Sequence, residues 1–206
     1  MQEAADTRTR LLDAGERLFA EHGFAGTSVR AITAAAKANL NSVNYHFGSK
    51  EGLFRAVVHR FMNPLTAQQL RRLSELEAER AQQGTVPSVE ELIAAYASPF
   101  TDLLERDRTS GRVMSRLVIR VLADANGRTE RAALAATEAA EQRYLQAFAR
   151  ALPHLAGEEL WWRFQTTALV IAFHWIIASA HRHTSEADFG AWMRTYLTAA
   201  MSTPSA

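Results

Sequence analysis

The stretch from Thr27 to Lys50, TSVRAITAAAKANLNSVNYHFGSK, constrains the fold more than any other part of the chain. Thr27 and Ser28 stand before a helical run, where a hydroxyl can accept from backbone N–H groups that have no intrahelical partner. Val29, Ile32, Ala35 and Ala36 then recur at helical spacing and form an inward face. Past Lys37 and Ala38, Asn39 is a favourable N-cap for a second short helix reaching to around Tyr45. That helix presents Asn41, Ser42, Asn44, Tyr45 and His46, each able to reach a base edge or a phosphate, while Leu40, Val43 and Phe47 supply apolar anchors. Helix, tight turn and helix is the helix-turn-helix plan, whose second helix enters the DNA major groove.

Two helices cannot bury their own inner faces, so the flanking chain must supply support. From Asp6 to His22 the apolar positions Leu11, Ala14, Leu18 and Phe19 fall on one helical face; Gly23 stops the helix and Phe24 packs back beneath it. From Ser49 a long helical pattern runs through Leu53, Phe54, Val57, Val58 and Phe61, then Leu65, Leu70, Leu73 and Leu76, with Pro64 expected to kink or interrupt it. The polar segment from Ala78 to Ser88 reads as helix end, loop and a new cap at Ser88. The chain is therefore expected to divide into residues 1–50, a DNA-binding domain, and residues 51–206, a ligand-binding and dimerisation domain.

The Thr27–Lys50 segment resembles the DNA-binding head of TetR-family transcriptional regulators, and VNYHFGSKEGLF is similar to the PsrA-like, lipid-responsive branch; FMNPL and ELWWRF extend the likeness. The resemblance implies DNA contacts from Ser28 and Arg30 on the first helix, from Asn39, Leu40, Asn41, Ser42, Asn44, Tyr45 and His46 on the second, and from Lys50 to a phosphate. The chemistry is compatible: Asn pairs bidentately with adenine, apolar atoms touch a thymine methyl, and a helix N-terminus attracts phosphate. Where the family usually has Ala-Gly-Val-Ser, this chain has Ala36, Lys37, Ala38 and Asn39, so Lys37 replaces a glycine that would tolerate a left-handed backbone.

Composition narrows the classes. The chain has no cysteine, which removes disulfide frameworks and thiolate chemistry. Net charge is only +1, so DNA binding must come from a local patch; the two lysines, Lys37 and Lys50, both lie in the head. The charged N-terminus MQEAADTRTR lacks a signal-peptide core, and the near-apolar run Ala168–Ala178 is too short to span a bilayer, so a cytoplasmic protein without a membrane partner is expected. Glycine phosphate loops, zinc motifs and G-x-S-x-G are absent, and His181 and His183 fall on different helical faces. No catalytic residue, metal site or cofactor is expected.

The remainder reads as helices over 89–106, bending near Pro99, and over 110–124 and 127–152, then an apolar segment from Glu158 and a last helix over 186–200. An apolar effector pocket would draw on Phe100, Leu103, Met114, Leu117, Leu122, Phe148, Trp161, Phe164 and Leu169, with Arg120 either solvated or set against an acidic ligand group. The segment from Glu158 is apolar nearly all round and needs cover from a second copy, which predicts a homodimer through Phe173, His174, Ile177, Phe189, Trp192, Met193 and Tyr196. The expectation is an all-α chain of about nine helices, with a three-helix helix-turn-helix head and a helical body. It would be a repressor released from a palindromic operator by a hydrophobic effector, for which the resemblance implies a fatty acid or acyl-CoA. Alternatives are an all-α lipid-binding protein or enzyme without DNA recognition, and a constitutive DNA binder.

Overall fold

The computed structural model describes residues 2–106, 128–180 and 186–204. All regular structure there is helical: α1 (Gln2–Gly26), α2 (Val29–Ala35), α3 (Ser42–Phe47), α4 (Lys50–Gln82), α5 (Val89–Arg106), α6 (Arg128–Ala151), α7 (Gly157–Ala180) and α8 (Glu186–Ser202). The all-α architecture expected from the sequence is the one observed, while the helix expected over 110–124 lies outside the described residues. They fall into two compact units, one of residues 2–64 and 128–137, the other of residues 65–106, 138–180 and 186–204.

The first unit is built around Leu11, Phe19, Ile32, Val43, Leu53 and Val57, all fully buried. They come from α1, α2, α3 and the first turns of α4, so the short helices share one core with their supports. This is why the unit runs to Pro64: Leu53, Phe54, Val57 and Val58 belong to the head's core. Gly23, at φ 72°, breaks the helical path of α1 and turns Phe24 back. The Phe24 ring then stacks on Phe19 at 6.0 Å and meets Phe54 edge-on at 5.4 Å.

The two candidate caps divide their work. The Ser28 hydroxyl accepts from Ala31 N–H at 3.1 Å and caps α2, whereas the Thr27 hydroxyl turns back and donates to the Gly23 carbonyl at 2.7 Å. On α2 the inward positions are Ile32, Thr33 and Ala36; Ala35, expected inside, is exposed. The α2–α3 turn is held by a long-range bond, in which Arg10 Nε donates to the Ala36 carbonyl at 3.0 Å.

The second unit has an aromatic core. Tyr96 meets Tyr144 edge-on at 4.9 Å and Phe164 at 5.3 Å, and Phe164 lies 5.8 Å from Phe148. Two polar side chains beside these rings are paired: buried Gln69 donates from Nε2 to the Tyr96 carbonyl, and the Tyr144 hydroxyl donates to the Gln69 carbonyl, both at 3.0 Å. Burial pushes both phenols far above the usual tyrosine range, so they remain neutral.

Local rules explain the ends and the prolines. Ser88 and Glu91 form a capping box at the start of α5: Ser88 N–H donates to Glu91 Oε2 at 2.8 Å and Glu91 N–H to Ser88 Oγ at 3.3 Å. The Ser88 backbone bond holds the Glu91 carboxyl below its usual value. Pro64 and Pro99 lie inside α4 and α5 without ending them. At Pro99 the Ala95 carbonyl loses its helical donor, and the Ser98 hydroxyl donates to it at 3.3 Å. Arg163 closes α8, donating to the carbonyls of Ala200, Met201 and Thr203.

Lys37 adopts φ 50°, the left-handed conformation that its place in the turn predicts. A non-glycine residue there is strained, so Lys37→Gly is expected to raise unfolding free energy by up to about 1 kcal/mol, measured by urea denaturation. In the second unit, Tyr144→Phe loses one buried hydrogen bond while keeping the ring, a cost of about 1 kcal/mol. Tyr144→Ala should cost roughly 3–5 kcal/mol in the same measurement.

Candidate nucleic-acid interface

The recognition helix is short and begins later than its sequence suggests. Asn39, expected to cap it, instead forms an Asx turn, its Oδ1 accepting from Asn41 N–H at 3.0 Å, and the helix starts at Ser42. Val43 is fully buried and Phe47 packs partly against the same core, which fixes which face of α3 points outward. Leu40, expected to anchor, is 48% exposed, so it is free for contact. Asn41, Asn44 and Tyr45 are exposed, with Tyr45 at 81%, while Ser42 and His46 are half-buried. The Tyr45 and His46 rings meet edge-on at 4.9 Å.

Gly48, at φ 76°, ends α3, and its N–H donates to the Asn44 carbonyl at 2.9 Å. Ser49 Oγ then accepts from Gly52 N–H at 3.0 Å at the start of α4. The Lys50 ammonium lies 4.3 Å from the centroid of the Phe24 ring, and burial lowers its pKa from the usual lysine value. On the other flank, Ser28 and Arg30 are exposed on α2. Between Glu21 and Glu51 the chain carries no carboxylate, while Arg30, Lys37 and Lys50 are all positive. A local cationic, hydrogen-bonding surface thus exists in a nearly neutral chain.

The sequence reading missed two side chains that build this surface, Arg10 on the Ala36 carbonyl and Arg8 over Phe47, and, although it expected Lys50 at a phosphate, it did not foresee that ammonium over Phe24. Each pairs residues distant in sequence, and no local pattern announces such a pair.

Of the residues expected to line a pocket, Phe100, Phe148 and Phe164 join the aromatic core of the second unit, and Leu103 is half-buried. Trp161 and Leu169 stand exposed instead; Leu169 lies five residues beyond buried Phe164, about 140° around the helix. Met114, Leu117, Arg120 and Leu122 lie outside the described residues. Of the residues expected at a dimer interface, Trp192 and Tyr196 are 63% and 67% exposed on α8 and Phe173 is half-buried. Met193 is buried within its own unit; the side chains of His174, Ile177 and Phe189 lie outside the described set. Among the described residues no cluster suited to a metal ion occurs, and no helix is long and apolar enough to cross a membrane.

A helix-turn-helix whose second helix is held by Val43 and turns a polar, carboxylate-free face outward defines a DNA-binding regulator. Residues 11–57 match the profile of bacterial regulatory proteins of the tetR family, and residues 94–201, more than half of the chain, match that of the tetracyclin repressor-like C-terminal domain. The chain belongs to the TetR family of transcriptional regulators. It is 39% identical over 56 residues to the HTH-type transcriptional regulator UidR of Escherichia coli K12, a match covering 27% of this chain and 29% of that protein. To the HTH-type transcriptional repressor NicS of Pseudomonas putida it is 36% identical over 81 residues, 39% of this chain and 38% of the relative. The chain thus spans well under half the length of these curated relatives.

Solved structures extend the likeness of fold to nearly the whole chain. AibR, solved with isovaleryl coenzyme A and operator DNA, superposes with a TM-score of 0.63 at 18% identity, covering 97% of this chain and 100% of that one. The fatty acid degradation regulator FadR of Bacillus halodurans gives 0.62 at 15% identity, over 95% and 94%.

Exposed and buried positions of α3 make separable predictions. Asn41→Ala and Asn44→Ala should each weaken specific DNA binding by about 1–3 kcal/mol, measured by fluorescence anisotropy, with the thermal midpoint unchanged. Val43→Ala should instead lower the unfolding free energy by roughly 1–3 kcal/mol.

Proposed function

We propose that this protein is a homodimeric repressor whose release from a palindromic operator is controlled by a hydrophobic effector. The observation that carries the reading is the outward face of α3, where Asn41, Asn44 and Tyr45 are exposed while Val43 is locked in the core. Base contacts would come from Asn39, Leu40, Asn41, Ser42, Asn44, Tyr45 and His46, and phosphate contacts from Ser28, Arg30 and Lys50. Exposed Trp192 and Tyr196 on α8, one turn apart, support pairing through the last two helices of each subunit. Two heads on a twofold axis read half-sites one helical turn apart, about 34 Å.

The effector acts on the second unit, where Phe100, Phe148 and Phe164 supply an apolar interior. A fatty acid or acyl-CoA is the class favoured by the similarity of VNYHFGSKEGLF to lipid-responsive regulators, and the acyl-CoA held by AibR supports the same choice. To release DNA tenfold to a hundredfold, the effector needs to prefer the non-binding state by only about 1.4–3 kcal/mol.

Labelled DNA from upstream of the protein's own gene, titrated at two salt concentrations and then with long-chain acyl-CoA, tests this reading. Salt-dependent binding that the acyl-CoA reverses is the expected result. Binding indifferent to fatty acids and acyl-CoA would leave a regulator with another effector.

A further inference from the structure

We infer that Arg8, near the start of α1, is a further DNA-phosphate contact, held in place by stacking on the last residue of the recognition helix. This rests on α3 being the helix that enters the major groove. The Arg8 side chain is exposed, and its guanidinium carbon lies 5.2 Å from the centroid of the Phe47 ring. Phe47 is the C-terminal residue of α3, so a charge from the other end of the unit's sequence is brought to the edge of the DNA-reading surface.

Three physical points favour a phosphate as its partner. Stacking engages the face of a guanidinium and leaves its rim of N–H donors free, in the plane that a phosphate oxygen pair can meet. Two other arginines of this unit are already engaged: Arg10 pairs with Asp6 and bonds the Ala36 carbonyl, and Arg60 pairs with Asp13 at 2.5 Å. Arg8 carries no ion pair among the described residues, and the segment that holds its ring partner, from Ser42 to Lys50, has no carboxylate.

The position is also that of a clamp. Lys50 lies three residues beyond Phe47 and is itself 4.3 Å over a ring, that of Phe24. Two cations, each steadied by an aromatic ring, therefore attach to the C-terminal end of α3, Arg8 over the Phe47 ring and Lys50 three residues further along the chain. A short helix in the major groove has a phosphate strand at its edge, and contacts there fix its register without reading sequence.

The test compares wild type with Arg8→Ala, Arg8→Lys and Arg17→Ala. Arg17 is also exposed on α1 but lies nine residues on, about 180° around the helix from Arg8. Anisotropy is read on a labelled duplex selected by the wild-type protein from a random pool, and on a scrambled duplex, across a salt series. Arg8→Ala should weaken binding roughly tenfold per head on both duplexes. It should reduce the slope of log K against log salt by about 0.9 per head. Arg8→Lys should recover the slope but only part of the affinity, because it keeps the charge and loses the planar fork. Arg17→Ala should match wild type.

An unchanged slope in Arg8→Ala overturns the proposal. So does a loss confined to the selected duplex, which would mean that Arg8 only positions α3 through Phe47. Failure of the wild-type protein to bind either duplex would overturn the DNA reading of α3 itself, an outcome distinct from the behaviour of the variants.

Discussion

Burial of Val43 is the contact on which DNA recognition depends. A helix as short as Ser42–Phe47 does not persist alone in water, because nucleation costs more than so few hydrogen bonds return. Val43 is fully buried among residues that include Leu11, Ile32 and Leu53, and Phe47 adds a second, partial anchor one turn on. These two positions set both the existence of α3 and its rotation about its own axis. Asn41, Asn44 and Tyr45 are outward because Val43 is inward.

The same logic tells which parts of the molecule were legible in the sequence. Periodicity placed the inward faces of α1 and of the first turns of α4, since a helix face repeats within a few residues. Ser28 and Ser88 were readable as caps for the same reason, and both accept a backbone N–H three residues ahead. The left-handed conformation of Lys37 was legible because the turn type, more than the residue, demands it. Asn39, expected as the N-cap, stands two residues before the actual one, Asn41, since its side chain serves an Asx turn before the helix, and local sequence does not choose between the two uses.

What stayed hidden was long-range or required counting a whole core. The compact unit that holds the helix-turn-helix includes the first turns of α4 as far as Pro64, because its core takes in Phe54 and Val58 together with Phe19 and Phe24. Pro64 itself does not interrupt α4, and Pro99 is tolerated where the Ser98 hydroxyl replaces a missing backbone donor. The outward position of Trp161 was equally unreadable in a segment that is apolar nearly all round, where periodicity has no contrast to work with. The residues expected at DNA were named from motif resemblance, and the burial of Val43 gives the reason that Asn44 and Tyr45 point outward.

Charge placement explains how a chain of net charge +1 can act on DNA. Non-specific affinity follows the number of phosphates neutralised, and a chain without a global basic field neutralises few away from its binding face. Its carboxylates are absent where α2, the turn and α3 lie, and several elsewhere are paired: Asp13 with Arg60, Asp102 with Arg72, Glu91 with Arg80. Two cations, Arg8 and Lys50, are instead held over rings, an arrangement that steadies a charge without neutralising it. Exposed Asn41, Asn44 and Tyr45 set hydrogen-bonding and aromatic groups beside those charges, and contacts made by such groups are short-ranged and little screened by salt.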